Sequence, residues 1–248
     1  MNKSDHYRQI LRETPQAEWE TFLKQESGLP GPRGNLELAQ VVADEGDLAF
    51  FRCCLEYTPE LAPTNDPGEF VAFCGVVGLG RFLAEGQPNL IETLRICACD
   101  PRWRLREATA MALQRVGKAD INRLMEIAED WGQGYWLEMR AAVAAIAEPA
   151  LLHDPIQVSR ALDLHDAITT ALTKAENRRD EDFKTLRKGL AYTWSVVAAA
   201  QSQIGLKRME RWLQSSDPDV RWLMKENLKK NRLIRVDAAW VNAWLARL

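Results

Sequence analysis

Side chains that commonly hold metals or begin catalysis are scarce in this chain of 248 residues, which has three histidines and five cysteines. The cysteines form no CxxC pair and their number is odd, so neither a zinc site nor a disulfide framework is indicated. We expect all five to be small buried hydrophobic residues: Cys53, Cys54, Cys74, Cys97 and Cys99. We therefore predict no metal, no cofactor and no catalytic residue. The preferred interpretation is a non-enzymatic protein, with an activity left open.

Long apolar runs and strand patterns are also missing. Apolar stretches such as 142–147 fall far short of the ~20 residues that cross a bilayer. The polar N-terminal segment 1–7 lacks the apolar core of a secretory signal. No segment alternates apolar and polar residues with β-branched enrichment, so no sheet is expected. We predict an all-α protein of the cytoplasm with no membrane partner.

Charge is distributed unevenly, although the net charge is only -3. Residues 1–100 carry 8 basic and 16 acidic side chains, whereas residues 101–248 carry 24 and 19. The basic excess is sharpest over 205–235, with nine basic residues against four acidic ones. This asymmetry fits a face for nucleic acid or an acidic partner, or alternatively the solvated outer surface of a terminal repeat.

Against these absences, one pattern is strong. Apolar anchor residues recur with gaps of 34, 34, 47 and 34 residues: Val71, Leu105, Met139, Leu186 and Val220. An arginine follows every anchor but the first: Arg106, Arg140, Arg187 and Arg221. Positions 4, 8 and 11 after each anchor are mostly apolar or small, as one helix face requires. Such a period predicts an α-α superhelix, a solenoid of stacked antiparallel helix pairs.

The chain is divided by a stiff Gly/Pro segment. Residues 1–34 are predicted to be an N-terminal cap of short helices and this loop. Residues 35–248 are predicted to be one continuous repeat domain that ends in a cap helix. Its helices are expected at 36–44, 47–57, 69–84, 88–97, 101–116, 119–130, 135–148, 155–175, 182–201, 205–214, 218–230 and 237–246. Asp-Pro pairs at 100–101, 154–155 and 217–218 fit helix starts.

Several segments resemble HEAT or HEAT-like repeats. Segment 105–117, LREATAMALQRVG, is similar to the second helix of such a repeat, and DPDVR at 217–221 and MRAAVAAI at 139–146 are further matches. The resemblance implies a ladder that joins turn aspartates to second-helix arginines: Asp100, Arg106, Arg140, Arg187, Asp217 and Arg221. It also implies a distant likeness to bacterial alkylpurine DNA glycosylases. Their catalytic motif cannot be matched here, so no catalytic residue is carried over.

Residues that depart from the repeat are the candidate binding site. Trp103 lies between Arg102 and Arg104 at a predicted helix start, where free amides favour anions. Trp222 lies off the apolar stripe and close to Lys225 and Lys229, an arrangement suited to stacking a base or holding an anion. Trp136, near the start of the helix expected over 135–148, is the third candidate tryptophan. Packing between repeats is the alternative for each tryptophan.

These observations favour a HEAT-like scaffold that binds a macromolecular partner, preferably a protein, through its concave face. The alternative is a DNA-binding or alkylated-base excision protein that uses the basic, tryptophan-rich face. A positive binding surface would favour nucleic acid, and a mixed or negative one would favour protein. The sequence leaves the oligomeric state open.

Overall fold

The computed structural model describes residues 2–247 and divides the chain into two compact units, 1–119 and 120–248. The first unit contains α1 (Lys3–Glu13), α2 (Trp19–Glu26), α3 (Leu36–Glu45), α4 (Leu48–Cys54), α5 (Pro67–Ala84), α6 (Leu90–Ala98) and α7 (Trp103–Ala119). The second contains α8 (Ile121–Trp131), α9 (Trp136–Ile146), α10 (Pro155–Thr173), α11 (Glu181–Ala200), α12 (Ser202–Leu213), α13 (Pro218–Leu228), α14 (Asn231–Val236) and α15 (Ala238–Leu245). No strand occurs in the described residues, which confirms the all-α prediction. One continuous domain over 35–248 stays a prediction.

Two of the three Asp-Pro pairs begin helices as expected. The Asp154 carboxylate accepts the amide of Ile156, and the Asp217 carboxylate caps α13, each with proline in the first turn. Asp100 differs, because its carboxylate accepts the amide and guanidinium of Arg102, and α7 begins only at residue 103.

Helix α5 is the centre of the first unit and packs against α2, α3, α4, α6 and α7. Its glycines permit the close contacts: a Cβ at Gly80 would lie 2.5 Å from the Ala112 Cα of α7, and one at Gly78 would overlap the Phe51 ring of α4. By length and composition α5 could also cross a membrane, but 78% of that segment is buried inside the unit. A core helix has the same properties.

Helix α11 is the centre of the second unit and packs against α9, α10, α12, α13 and α14. Trp194 is fully buried on it, as its position on the apolar stripe predicts. The Trp194 indole donates to Thr169 Oγ1 at 2.9 Å, and its ring meets His165 edge-on at 5.3 Å between centroids. The two contacts join α11 to α10.

The five anchors are all buried, and they lie on α5, α7, α9, α11 and α13. Helices α3, α5 and α7 pack consecutively in the first unit, and α9, α11 and α13 do so in the second. The stripe fails at Ala150 and Asn231, which are exposed because α9 and α13 end before them. The period therefore marks every second helix within each unit.

Two details differ from expectation. The helix expected over 218–230 ends at Leu228 as α13, and a short helix that was not expected, α14, follows from Asn231. The five cysteines do not share one environment: Cys54 and Cys74 are buried, Cys97 is half-buried, and Cys53 and Cys99 are exposed. Burial raises the pKa of the Cys97 thiol to about 12. Cys53 is exposed although its neighbour Cys54 is buried, because adjacent residues of α4 lie on different faces of the helix, and Cys99 is the residue that follows α6.

Candidate functional site

Arg102 is buried in the first unit, and its side chain is held by groups of the protein. Its guanidinium donates to the Asp100 carboxylate at 2.8 Å and to the carbonyl oxygens of Tyr57 and Ala62 at 2.8 and 3.0 Å. Only 4% of the residue is exposed. Arg102 therefore fastens the α4–α5 connection to the start of α7 and does not point a cation at solvent.

Arg104 is buried in the same way. Its guanidinium donates to the Glu69 carboxylate at 3.1 Å, the Gly31 carbonyl at 2.6 Å and the Asn65 side chain at 3.2 Å. The Trp103 ring, 4.4 Å from this guanidinium, remains 44% exposed. The tryptophan is thus accessible, whereas the two arginines expected to bind an anion beside it have their partners inside the protein.

Trp136 and Trp222 both contact α11 in the second unit. The Trp136 ring meets Phe183 edge-on at 5.7 Å, and the Arg187 guanidinium lies 4.5 Å from the centre of the Trp222 ring. Trp222 is 37% exposed, and Lys225 on the same helix is also exposed. Trp103 belongs to the first unit, so only the other two tryptophans share a supporting helix.

The residues of the expected ladder have different partners. Arg187 of α11 pairs with Asp219 of α13, beside the capping residue Asp217. Arg106 instead donates to the carbonyl oxygens of residues 100 and 101 in its own turn. Arg140 packs beside Gly189, and Arg221 is exposed.

The loop of residues 174–180, between α10 and α11, falls in the longer 47-residue gap between anchors, and we call it the insertion. An arginine that the sequence did not single out ties it to this turn. Arg178 binds the Asp217 carboxylate at 2.6 Å and the Asp219 carboxylate at 2.9 Å. Burial alone would raise the pKa of Asp217, but the bond from Arg178 and two backbone amides hold it below its usual value. The insertion is therefore anchored rather than free.

A concave site of about 750 Å³ lies in the second unit, and we name it the basic pocket. Its walls come from the segment after α9, the C-terminal half of α11, and the α13–α14 junction. The lining residues are Pro149, Leu152, His153, Tyr192, Val196, Ala199, Ala200, Lys229, Lys230, Asn231, Arg232 and Arg235. None of them is acidic.

The cations of this pocket are largely without carboxylate partners. Lys229 pairs with Glu226, but within residues 2–247 no carboxylate forms an ion pair with Lys230, Arg232 or Arg235. Arg232 donates to the Tyr192 hydroxyl at 2.5 Å, and its guanidinium lies 4.8 Å from the centre of that ring. The ring and hydroxyl orient the guanidinium, so that its remaining donors can meet a ligand.

Part of the lining of the basic pocket is apolar, and we name this part the apolar wall; the residues Lys229, Lys230, Arg232 and Arg235 form the cationic wall. Pro149, Leu152, Val196, Ala199 and Ala200 supply carbon surface that faces the same space as the cations. Sites for small ligands commonly combine such apolar walls with a few directed polar groups. The arrangement can hold an anion that also carries an apolar part.

Of the residues expected to bind a ligand, only Lys229 lines this pocket. Lys230, Arg232 and Arg235 lie within the basic 205–235 stretch, and the run KKNRLIR at 229–235 was the local signal that could have found them. Tyr192 carries no such signal, since only the packing of α11 against α14 brings it to these cations. No family model, curated protein or solved structure matches the chain.

Proposed function

We propose that this chain is a HEAT-like α-α superhelical protein that binds nucleic acid through the basic pocket of its second unit. The repeat of anchors on every second helix supports the HEAT-like assignment. No residue is proposed to catalyse a reaction, and base excision is not part of the proposal.

The choice of nucleic acid as the ligand rests on one observation. Lys230, Arg232 and Arg235 line one cavity, and among residues 2–247 no carboxylate pairs with them and no acidic side chain lies on its wall. Phosphate groups satisfy clustered cations of this kind, and arginine forms paired bonds to them. The net charge of -3 opposes general attraction to a polyanion, but a local patch dominates at contact distance.

A protein partner remains a competing occupant of the same surface. An acidic polypeptide would also meet these cations, and the sequence alone favoured a protein. The positive sign of the pocket favours nucleic acid instead, because a surface for an ordinary protein partner carries mixed charge.

The test is fluorescence anisotropy with a labelled oligonucleotide, titrated between about 50 and 200 mM salt. The variant Lys230→Gln/Arg232→Gln/Arg235→Gln removes the unpaired cations. Lys207→Gln/Arg211→Gln/Lys225→Gln removes three exposed cations of the same unit from outside the pocket. We expect the first variant to bind at least about tenfold more weakly, with a slope against salt lower by about three phosphate contacts. The second should bind almost as the wild type does.

Three outcomes would contradict the proposal. Equal losses in both variants would show that total charge, not the pocket, attracts the ligand. Absence of binding at low salt would remove nucleic acid as the ligand. Tighter binding of labelled polyglutamate than of the oligonucleotide would favour an acidic protein partner.

A further inference from the structure

We infer that the basic pocket takes an unpaired nucleotide, so that the protein prefers single-stranded nucleic acid to a duplex. This inference rests on the proposed function and adds what the pocket recognises beyond phosphate. The observation behind it is the pairing of a cationic wall with an apolar wall in one cavity.

The cationic wall by itself would suit any phosphate backbone. Lys230, Arg232 and Arg235 lie within the short 230–235 segment, so one part of the chain supplies these charges to the cavity. A duplex could supply phosphates to them. Its bases, however, are stacked and paired inside the helix, and their faces could not reach the apolar wall.

The apolar wall favours a ligand that has an apolar face. Pro149, Ala199 and Ala200 are partly or largely exposed and present carbon atoms to the cavity, and a solvated phosphate gains nothing from them. An unpaired base can turn out of its strand and cover such a surface. The volume of about 750 Å³ lies within the roughly 300–1,000 Å³ of small-ligand sites and so accommodates one nucleotide unit.

Tyr192 and Arg232 both line the cavity and contact each other. The tyrosine holds the guanidinium by its hydroxyl, at 2.5 Å, and by its ring. An arginine fixed in this way can stack its plane on a base or bind a phosphate with two N–H groups. The pocket therefore joins the chemistry of both parts of a nucleotide, as single-strand binding sites combine basic and aromatic groups.

The test compares the binding of three labelled probes of the same length to the full chain: a single strand, the same strand in a duplex, and an abasic single strand. The two single strands carry the same number of phosphates, whereas the duplex carries twice as many, so charge alone would favour the duplex. We expect the intact single strand to bind about tenfold or more tightly than the other two, since stacked or buried bases add affinity.

A filling variant tests the apolar wall separately. Ala199→Leu places a larger side chain in the cavity, and the partly exposed position on α11 tolerates it. It should weaken binding of the intact single strand about tenfold and leave binding of the abasic strand unchanged. If Ala199→Leu misfolds, Ala200→Leu, at an exposed position that also lines the pocket, takes its place in the test. The control is Ala239→Leu, at an exposed position of α15 outside the pocket.

The outcomes separate the two proposals. Equal binding of intact and abasic strands would mean that the pocket reads phosphate alone, which overturns this inference and leaves nucleic-acid binding standing. Equal or tighter binding of the duplex would overturn it as well. Failure of all three probes to bind would overturn the proposed function itself.

Discussion

Two pairs of arginines, one pair in each unit, have opposite surroundings. In the first unit, Arg102 and Arg104 are 4% and 5% exposed, and carboxylates and carbonyl oxygens of the same unit accept their bonds. In the second unit, Arg232 and Arg235 line a cavity to which the described part of the chain contributes no carboxylate. Arginine therefore fixes the fold at 102 and 104, as Arg178 does in the second unit, whereas Arg232 and Arg235 are available to a ligand.

The cost of removing charge from water explains this difference. A guanidinium that is almost fully buried must have partners, since an unpaired buried charge costs several kcal/mol. A cation at the edge of a cavity keeps part of its hydration and can exchange that water for an anion at lower cost. Accessible cations without partners are thus better indicators of a site than arginines beside an aromatic residue in the sequence.

The largest expected effect comes from breaking the buried pair of the first unit. Arg104→Met leaves the Glu69 carboxylate, 0% exposed, without its cation. We expect a loss of about 3–5 kcal/mol in the free energy of unfolding, measured by urea denaturation followed by circular dichroism. Binding of an oligonucleotide to the folded fraction should not change.

The double variant Glu69→Met/Arg104→Met is the matched control. Because both charges are removed together, it should be markedly more stable than the single variant. A single variant within about 1 kcal/mol of wild type would contradict a structural role for this pair.

Much of the fold could be predicted from the sequence. The anchor period predicted which residues face the interior, and all five anchors are buried. The Asp-Pro pairs at 154 and 217 also predicted helix starts correctly. Helix α14 could not be foreseen, because it has only six residues and Lys230 provides no side-chain cap.

Most of the candidate site could not be predicted from the sequence. The basic pocket joins residues near 149–153, 192–200 and 229–235, which only the packing around α11 brings together. Likewise, Arg104 was expected to bind a ligand because Trp103 adjoins it in sequence, whereas its partner Glu69 lies 35 positions away. Local patterns report helix faces, but they do not report which charge a distant segment will neutralise.

The second prediction concerns acid and the second unit. His165 is fully buried, with its Nδ1 2.8 Å from the Ala161 carbonyl, and burial lowers its pKa to about 4. The unfolded chain has a histidine pKa of about 6.5, so below that pH it binds a proton that the folded state does not. The contribution of His165 to the free energy of unfolding should therefore be constant above about pH 6.5 and should fall as the pH decreases from 6.5 to 4.

The size of this effect is testable by difference. Between pH 7 and 4.5, wild type should lose about 2 kcal/mol more stability than His165→Phe, which cannot take up the proton. Hydrogen exchange of α10 amides, corrected for intrinsic rates, reports the second unit directly. Equal pH dependence of the two proteins would contradict a neutral buried histidine.

The third prediction concerns glycines at close helix–helix contacts, which occur in both units. A Cβ at Gly80 would lie 2.5 Å from Ala112 Cα, and one at Gly205 would overlap the backbone of Ala198. Gly80→Ala and Gly205→Ala should each cost about 1–3 kcal/mol in thermal or urea unfolding. Gly189→Ala is the control, since its Cβ would meet only the flexible Arg140 side chain at 3.3 Å and should gain up to about 1 kcal/mol. Loss of stability in all three would indicate a general intolerance of side chains.

The smallest expected effect lies within the basic pocket. Tyr192→Phe keeps the ring beside Arg232 but removes the hydroxyl that accepts its hydrogen bond at 2.5 Å. Because the guanidinium then loses one of its two constraints, we expect single-strand binding to weaken about two- to fivefold in anisotropy titrations, with the free energy of unfolding unchanged. Lys225→Gln, which removes an exposed cation outside the pocket, should leave binding within about twofold of wild type. Suppose instead that Lys225→Gln reduced binding as much as Tyr192→Phe did. The contact surface would then be the exposed face of α13 and not the pocket, and the lack of carboxylate partners around a cation would not identify a binding site.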